Sequence, residues 1–419
     1  MQTRTRPSRI GLLGMLALAG LLPGTGELKL KDSDHKSLGK EIGKYYTAVD
    51  QTKGITEALT KVVDALDKTD KKMKKGESFL AAVGDLEKVF WYVQLDRVKN
   101  ELKKGKVEKL ATKNSNGMDV AVTYSVPKGY RPEKNGPYPL VLVVPGEGED
   151  PLAQLDANWS DPAAREANLL VAIQMPENLG AWGTFGTVDA PGGVFSVMNA
   201  LGVVQQQLAI DMNRIYLAGS GRGFSAVGAT AAAFPHLFAG VIGLGDVPEI
   251  DLTNLRNVPV LLAKGGAGAS AIEAKAAELG HEGCTVLPEG GQADVWGWLG
   301  KTSRNSYPAQ VSFTPTSDYA RLAYWVGIDS FLVSENPKVT ATSDRETNTV
   351  TLEVQKISEV IVYLNDLLVD MEKPVKIVVN GVALKDELVP RNAPRMIEMM
   401  QKVGDWGRVF TNYMTVDVP

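Results

Sequence analysis

The sequence predicts an α/β chain in which helices sandwich a mostly parallel sheet, with a helical segment before the sheet and a small β-rich module after it. Three observations carry that expectation. Apolar residues recur at helical spacing from about 34 to 104. Continuous apolar runs such as "YPLVLVVPG" and "LLVAIQMP" then alternate with helical stretches, as strands buried on both faces do in a parallel sheet. After about residue 335 helices become rare and short strand-like runs follow one another.

The first 26 residues read as a secretory signal peptide. "MQTRTRPSR" carries three arginines and no acid, "IGLLGMLALAGLL" is a 13-residue apolar run, and Gly24-Thr25-Gly26 offers small residues for cleavage. The run is short for a membrane span, and no second one of spanning length follows, so an exported, periplasmic or extracellular, soluble protein is expected. Without the three arginines of residues 1–26, 42 basic residues face 49 acidic ones, which argues against nucleic acid or an anionic membrane as the main partner. The single cysteine, Cys284, cannot form an internal disulfide and reads as a buried, inert thiol.

Residues 27–106 are expected to form an antiparallel helical hairpin. Leu38, Ile42, Tyr45, Val49 and then Leu59, Val62, Val63, Leu66 make one apolar stripe, and Phe79, Leu80, Val83, Leu86, Phe90 make a second after "DKTDKKMKKGES". That lysine-rich break reads as a solvated turn because acids are interleaved and no aromatics accompany it. The α/β domain is placed at 107–334, starting with the alternating strand "DVAVTYSVP" and continuing through the helix "GGVFSVMNALGVVQQQLAI", the strand "NRIYLAG", and the buried strands of "FAGVIGLGD" and "NVPVLLAKGG". Residues 335–419 contribute the strands "NTVTLEVQ", "EVIVYLND", "VKIVVNGVAL" and "YMTVDV", an Asn380-Gly381 type I′ hairpin signal, and one helix around "RMIEMMQKV".

"IYLAGSGRGFSA", residues 215–226, has the outline of a strand entering a sharp glycine-rich turn and then a small-residue helix. In the pattern G-x-S-x-G the middle residue is an attacking serine, but in the frame Gly219-Ser220-Gly221-Arg222-Gly223 that place is Gly221. The stretch from about 120 to 332, with "VPKGY…YPLVLVVPG" and "AIDMNRIYLAGSGRGFSAVGATAAAFPHLFAGVIGLGD", resembles the secreted esterase and polyhydroxybutyrate-depolymerase-like branch of the α/β-hydrolase family. "YPAQVSF…RLAYWVGI" followed by "LNDLLVDMEKPVKIVVNG" resembles an extension seen on some exported members.

The resemblance implies a serine triad and an oxyanion hole, and this chain departs from it at each position. Gly221 has no side chain to attack with. Pro145-Gly146-Glu147-Gly148 puts a carboxylate where the family's oxyanion strand end has His-Gly and further glycines. No carboxylate follows "NVPVLLAKGG" before Glu273, and Gln292 stands at the histidine position of "LPEGGQADVW", where an amide cannot serve as a general base. The three histidines offer no substitute, since His35 precedes the hairpin while His236 and His281 fall between a helix end and a strand start, opposite the ligand crevice.

Ser220 is the nucleophile only in a slipped frame, and there it reads as a turn serine without a base; Ser225 falls inside the following helix. Glu147, Glu149 and Asp150 form no recognisable metal spacing, and no cofactor is implied. What remains is a non-catalytic homologue with a crevice bordered by Glu147, Glu149, Trp182, Gly221, Arg222, Gln292, Trp296 and Trp298. The tryptophans there either hold a carbohydrate or ester-like ligand or close a disused cleft. The alternatives are an active carboxylic-ester hydrolase with an unrecognised nucleophile, and an envelope-associated scaffold with a protein partner on the helical hairpin. An Arg222 pairing with Glu147 or Glu149 is expected to favour the scaffold.

Overall fold

The computed structural model describes residues 28–332 and 335–419; the expected signal segment, residues 1–26, lies outside them. Eight strands form the central sheet: β1 (Val107–Lys113), β2 (Asp119–Ser125), β3 (Tyr138–Val144), β4 (Leu169–Gln174), β5 (Ile210–Ser220), β6 (Gly240–Leu244), β7 (Val260–Ala263) and β8 (Cys284–Leu287). Their order is β1-β2-β4-β3-β5-β6-β7-β8, with β3 through β8 parallel and β1 and β2 joined antiparallel at one edge. This is an α/β-hydrolase-like sheet.

Alternation along β3 shows why the runs are apolar throughout. Leu140, Leu142 and Val144 enter the core on one face and Val141 and Val143 the core on the other, so every position of the strand is buried. The chain leaves β3 for β4 on one side and then crosses to β5 on the other. The carboxyl ends of β3 and β5 therefore flank the switch point at which open α/β sheets bind ligands.

The N-terminal segment contains three helices where the sequence pattern predicts a hairpin: α1 (Asp32–Asp50), α2 (Ile55–Asp70) and α3 (Val83–Arg97). The chain reverses between α1 and α2 through left-handed Thr52 and Gly54. A four-residue turn is invisible to apolar spacing because the stripe resumes beyond it. This segment is also no separate body. Leu38, Ile42, Leu86 and Phe90 join the same core as β3 and β5, and Trp91 packs at 5.2 Å on Trp406 from the C-terminal region.

The C-terminal module is two sheets over one core. Its strands are β9 (Gln310–Phe313), β10 (Leu322–Ala323), β11 (Val326–Phe331), β12 (Lys338–Asp344), β13 (Thr349–Gln355), β14 (Ile357–Leu364), β15 (Val375–Val379), β16 (Val382–Glu387) and β17 (Asn412–Asp417). They are ordered β10-β11-β14-β17 and β16-β15-β13-β12-β9. Asn380 and Gly381 both take positive φ between β15 and β16, as the type I′ turn requires. The module starts near residue 310, about 25 residues before the boundary at 335 that the composition suggests. Its first strands, β9 and β10, are only four and two residues long, too short to show a period of two.

Candidate functional site

The turn from β5 into the helix Gly223–Ala233 has the shape of a nucleophile elbow. Gly221, at its apex, has φ +45°, the left-handed region that strains other residues. The flanking glycines are required by close approach: a Cβ on Gly219 would lie 2.8 Å from the Phe224 backbone, and one on Gly223 would lie 2.3 Å from the Val144 carbonyl oxygen. At Gly221 itself the only neighbour within 4 Å of such a Cβ is the Gly146 Cα at 3.9 Å, so the space for a nucleophile's side chain remains. Sequence spacing located this turn correctly. The turn has the elbow shape, and its apex residue carries no side chain.

The loop after β3 closes over the turn with its own carboxylates. Glu149 Oε2 accepts a hydrogen bond from the Gly146 amide at 2.6 Å and from the Ser220 hydroxyl at 2.5 Å, and the same amide lies 3.1 Å from Ser220 Oγ. In an acyl-transfer site the amide of this loop is one of the donors that stabilise an oxyanion. Here it already serves a carboxylate. Glu147 turns outward and accepts from Arg222 Nη1 at 2.8 Å, both side chains being mostly exposed. Asp150 caps the helix Pro151–Asn158 through the Ala153 amide. The three acids thus share no partner.

The Gln292 side chain bonds to the loop around Ser160 and makes no hydrogen bond to the elbow. Its amide nitrogen donates to the Ala157 carbonyl at 2.8 Å and its oxygen accepts from the Ser160 amide at 3.1 Å, so the side chain ties down the turn after the helix Pro151–Asn158. The tryptophans are engaged in packing, the second of the two roles the sequence left open for them. Trp182 is buried in the main core. Trp296 meets Trp159 edge to face at 5.1 Å, and Trp298 lies against Tyr216 and over Gly240. Both of the latter cover the sheet face opposite the main core. Nothing in the residue string separates a ligand-stacking tryptophan from one that packs on a sheet; position relative to the strand ends decides it.

None of the three histidines bonds to the elbow, and all three are buried. His35 Nε2 meets Asp85 Oδ1 at 2.7 Å, and His281 Nε2 meets the Leu255 carbonyl at 2.6 Å. Burial, together with nearby Arg408 and Arg304, holds the His236 imidazole well below its ordinary pKa. Cys284 is half-buried on β8, and burial, with Glu273 nearby, raises its thiol pKa. Among the described residues no cluster of three or more His, Cys, Asp or Glu is placed to hold a metal ion.

Sequence reasoning missed a buried charged junction. Asp405, following the helix Ala393–Val403, accepts from Arg304 Nη1 at 2.7 Å and Nη2 at 2.9 Å and from Arg408 Nε at 3.3 Å. Arg304 also donates to Asn213 on β5 and to the His236 carbonyl. Nearby, the Tyr307 hydroxyl donates to Glu87 of α3 at 2.9 Å, and burial pushes the Glu87 carboxyl up to about 8. Residues from all three parts of the chain meet here.

A central sheet ordered 1-2-4-3-5-6-7-8 with an elbow-shaped turn after its fifth strand defines an α/β-hydrolase-like fold with glycine at the apex of that turn. No family model matches the chain, and no curated protein sequence matches it. Among solved structures it is similar to a thermostable esterase (21% identity, covering 47% of this chain and 63% of that one, TM-score 0.38). Others are a poly(3-hydroxybutyrate) depolymerase from Bordetella parapertussis (18%, 46% and 86%, TM-score 0.35) and an S-formylglutathione hydrolase from Staphylococcus aureus (12%, 46% and 98%, TM-score 0.36). These likenesses are low; the fold stands on the strand order of the chain itself.

Proposed function

We propose that the chain is an exported, non-catalytic α/β-hydrolase homologue that acts as a binding or scaffold protein. The observation that carries this reading is Glu149, whose carboxylate occupies the Gly146 amide and the Ser220 hydroxyl together. An oxyanion forming about 4 Å from that carboxylate meets a repulsion on the order of 4 kcal/mol at an effective dielectric of about 20. Losing one oxyanion donor costs about 3–4 kcal/mol. The two effects add, and both oppose acyl transfer. The exposed Arg222–Glu147 pair beside it favours the scaffold version, as do the exposed apolar residues Ile55, Leu59 and Val63 on α2, at 38%, 37% and 46% exposure, which offer a surface to a protein partner. Export rests on the sequence of residues 1–26 and is checked by sequencing the N-terminus of the secreted protein.

A second reading is an ester hydrolase in which Ser220 attacks and Glu149 is its base. The 2.5 Å contact between them favours it. Against it stands the Gly146 amide, which already donates to the same Glu149 oxygen that Ser220 would use. Labelling with a fluorophosphonate probe separates the two. The non-catalytic reading expects no labelling, no hydrolysis of p-nitrophenyl esters, and no gain in Gly221→Ser, which restores the apex hydroxyl without a histidine. Stoichiometric labelling lost in both Ser220→Ala and Glu149→Gln establishes the hydrolase.

A further inference from the structure

The helix Ala393–Val403 lies over one end of the sheet β10-β11-β14-β17, and a pocket of about 230 Å³ remains between them. Its wall is apolar and aromatic. Ile361, Tyr363 and Tyr413 come from the adjacent strands β14 and β17, Phe410 from the turn before β17, and Met399 and Val403 from the helix. The rings form a connected set, Tyr363 lying 5.5 Å from Phe410 and 5.9 Å from Tyr413. Neither tyrosine hydroxyl has a hydrogen-bond partner among the described residues. The two charged residues that line the pocket, Lys402 and Arg408, are cations, and no acid lines it.

Arg408 is the informative one. Its side chain is almost wholly buried, directing Nε to Asp405 and Nη1 to the Tyr324 carbonyl, which leaves Nη2 without a protein acceptor among the described residues. Asp405 is shared with Arg304, so two buried guanidinium groups divide one carboxylate. The neighbours do not supply the missing charge. Burial favours the neutral carboxyl of Glu87 and the neutral imidazole of His236, and Asp211 is engaged by Arg214 at 2.6 Å. Lys402 adds a cation at the surface, held by Glu398 at 2.7 Å. A buried excess positive charge beside an apolar pocket is costly unless an anion answers it.

We propose that this pocket binds a small amphipathic carboxylate, its apolar body against Tyr363, Phe410 and Tyr413 and its carboxylate at Arg408. The volume lies below the roughly 300 Å³ at which drug-sized ligand sites begin, so the body is one aromatic ring or a short acyl chain. The site lies in the C-terminal module and is independent of whether the elbow is catalytic.

Isothermal titration of the purified chain at neutral pH with 3-phenylpropanoate and with octanoate tests this and distinguishes an aromatic from an acyl body. The corresponding amides, which keep the body and lose the charge, serve as controls. At least one acid is expected to bind at least about tenfold more tightly than its amide, a difference near 1.4 kcal/mol. Arg408→Gln is expected to remove that preference. Met399→Trp and Val403→Trp fill the pocket and are expected to abolish binding; Val403 is half-exposed, so its variant retains the fold if Met399→Trp does not. No binding of either acid into the millimolar range, equal affinity for acid and amide, or unchanged binding by Val403→Trp overturns the proposal. Fluorophosphonate labelling of the elbow moves with none of these outcomes.

Discussion

Two arginine–carboxylate pairs in this molecule are equally short and differ in almost everything else. Arg222 and Glu147 meet at 2.8 Å at the elbow with 61% and 66% of their side chains exposed, whereas Arg304 and Asp405 meet at 2.7 Å with 0% and 1% exposed. Solvent screens the first pair, and the order lost in holding two long side chains offsets most of its attraction. The second has no water to fall back on, so each charge depends on its partner. The lesson is that an ion pair beside a turn resembling a catalytic site is expected to contribute little to stability. The junction, which resembles nothing catalytic, holds the three parts of the chain in one register.

The largest expected effect is at the junction. Asp405→Ala leaves two buried guanidinium groups without a counter-charge and is expected to cost about 3–5 kcal/mol, read as a lowered midpoint in denaturant unfolding. A loss below 1 kcal/mol would show that water reaches the site and would erase the contrast with the elbow.

Glu87 sharpens the same side of the comparison through pH. Its native pKa, near 8, lies above the unfolded value of about 4.3, so between those values the native state holds a proton that the unfolded chain has released. Stability therefore falls as pH rises through that window and levels off above it. Across pH 5 to 8 the fall should be on the order of 3 kcal/mol, and Glu87→Gln should flatten it. Parallel pH profiles for the two proteins would mean that Glu87 ionises at its ordinary pKa in the folded state.

At the elbow, shape is expected to matter more than charge. A methyl on Gly223 is driven into the Val144 carbonyl, so Gly223→Ala should destabilise by about 1–3 kcal/mol, as overpacked sites do. Arg222→Ala should change stability by less than about 1 kcal/mol, with that small difference vanishing in high salt. A larger, salt-insensitive loss in Arg222→Ala would make the elbow pair structural and remove the distinction between the two sites.

Much of this contrast could be read from residues. The run "YPLVLVVPG" specified a strand buried on both faces because no position in it tolerates water, and β3 is buried at all seven positions. Gly219, Gly221 and Gly223 specified the elbow because backbone at 2.3–2.8 Å leaves no room for a Cβ at the outer two and positive φ strains one at the third. Asn380-Gly381 specified its hairpin for a similar backbone reason.

These are local properties, and local sterics is written in local sequence. Asp405 and Arg304 lie 101 positions apart, and Glu149 and Ser220 lie 71 apart. No periodicity or spacing joins such pairs; only the folding of the loop after β3 over β5, and of the C-terminal chain back against β5 and α3, brings the partners within hydrogen-bond distance. The tryptophans make the same point from the apolar side, since hydrophobicity put Trp182, Trp296 and Trp298 near the sheet but could not say on which side of it. The sequence by itself determined the strands and the glycine turn, with Gly221 at its apex. Tertiary structure alone decided which carboxylate meets the Ser220 hydroxyl and which charges are buried together, because both depend on proximity between residues far apart along the chain.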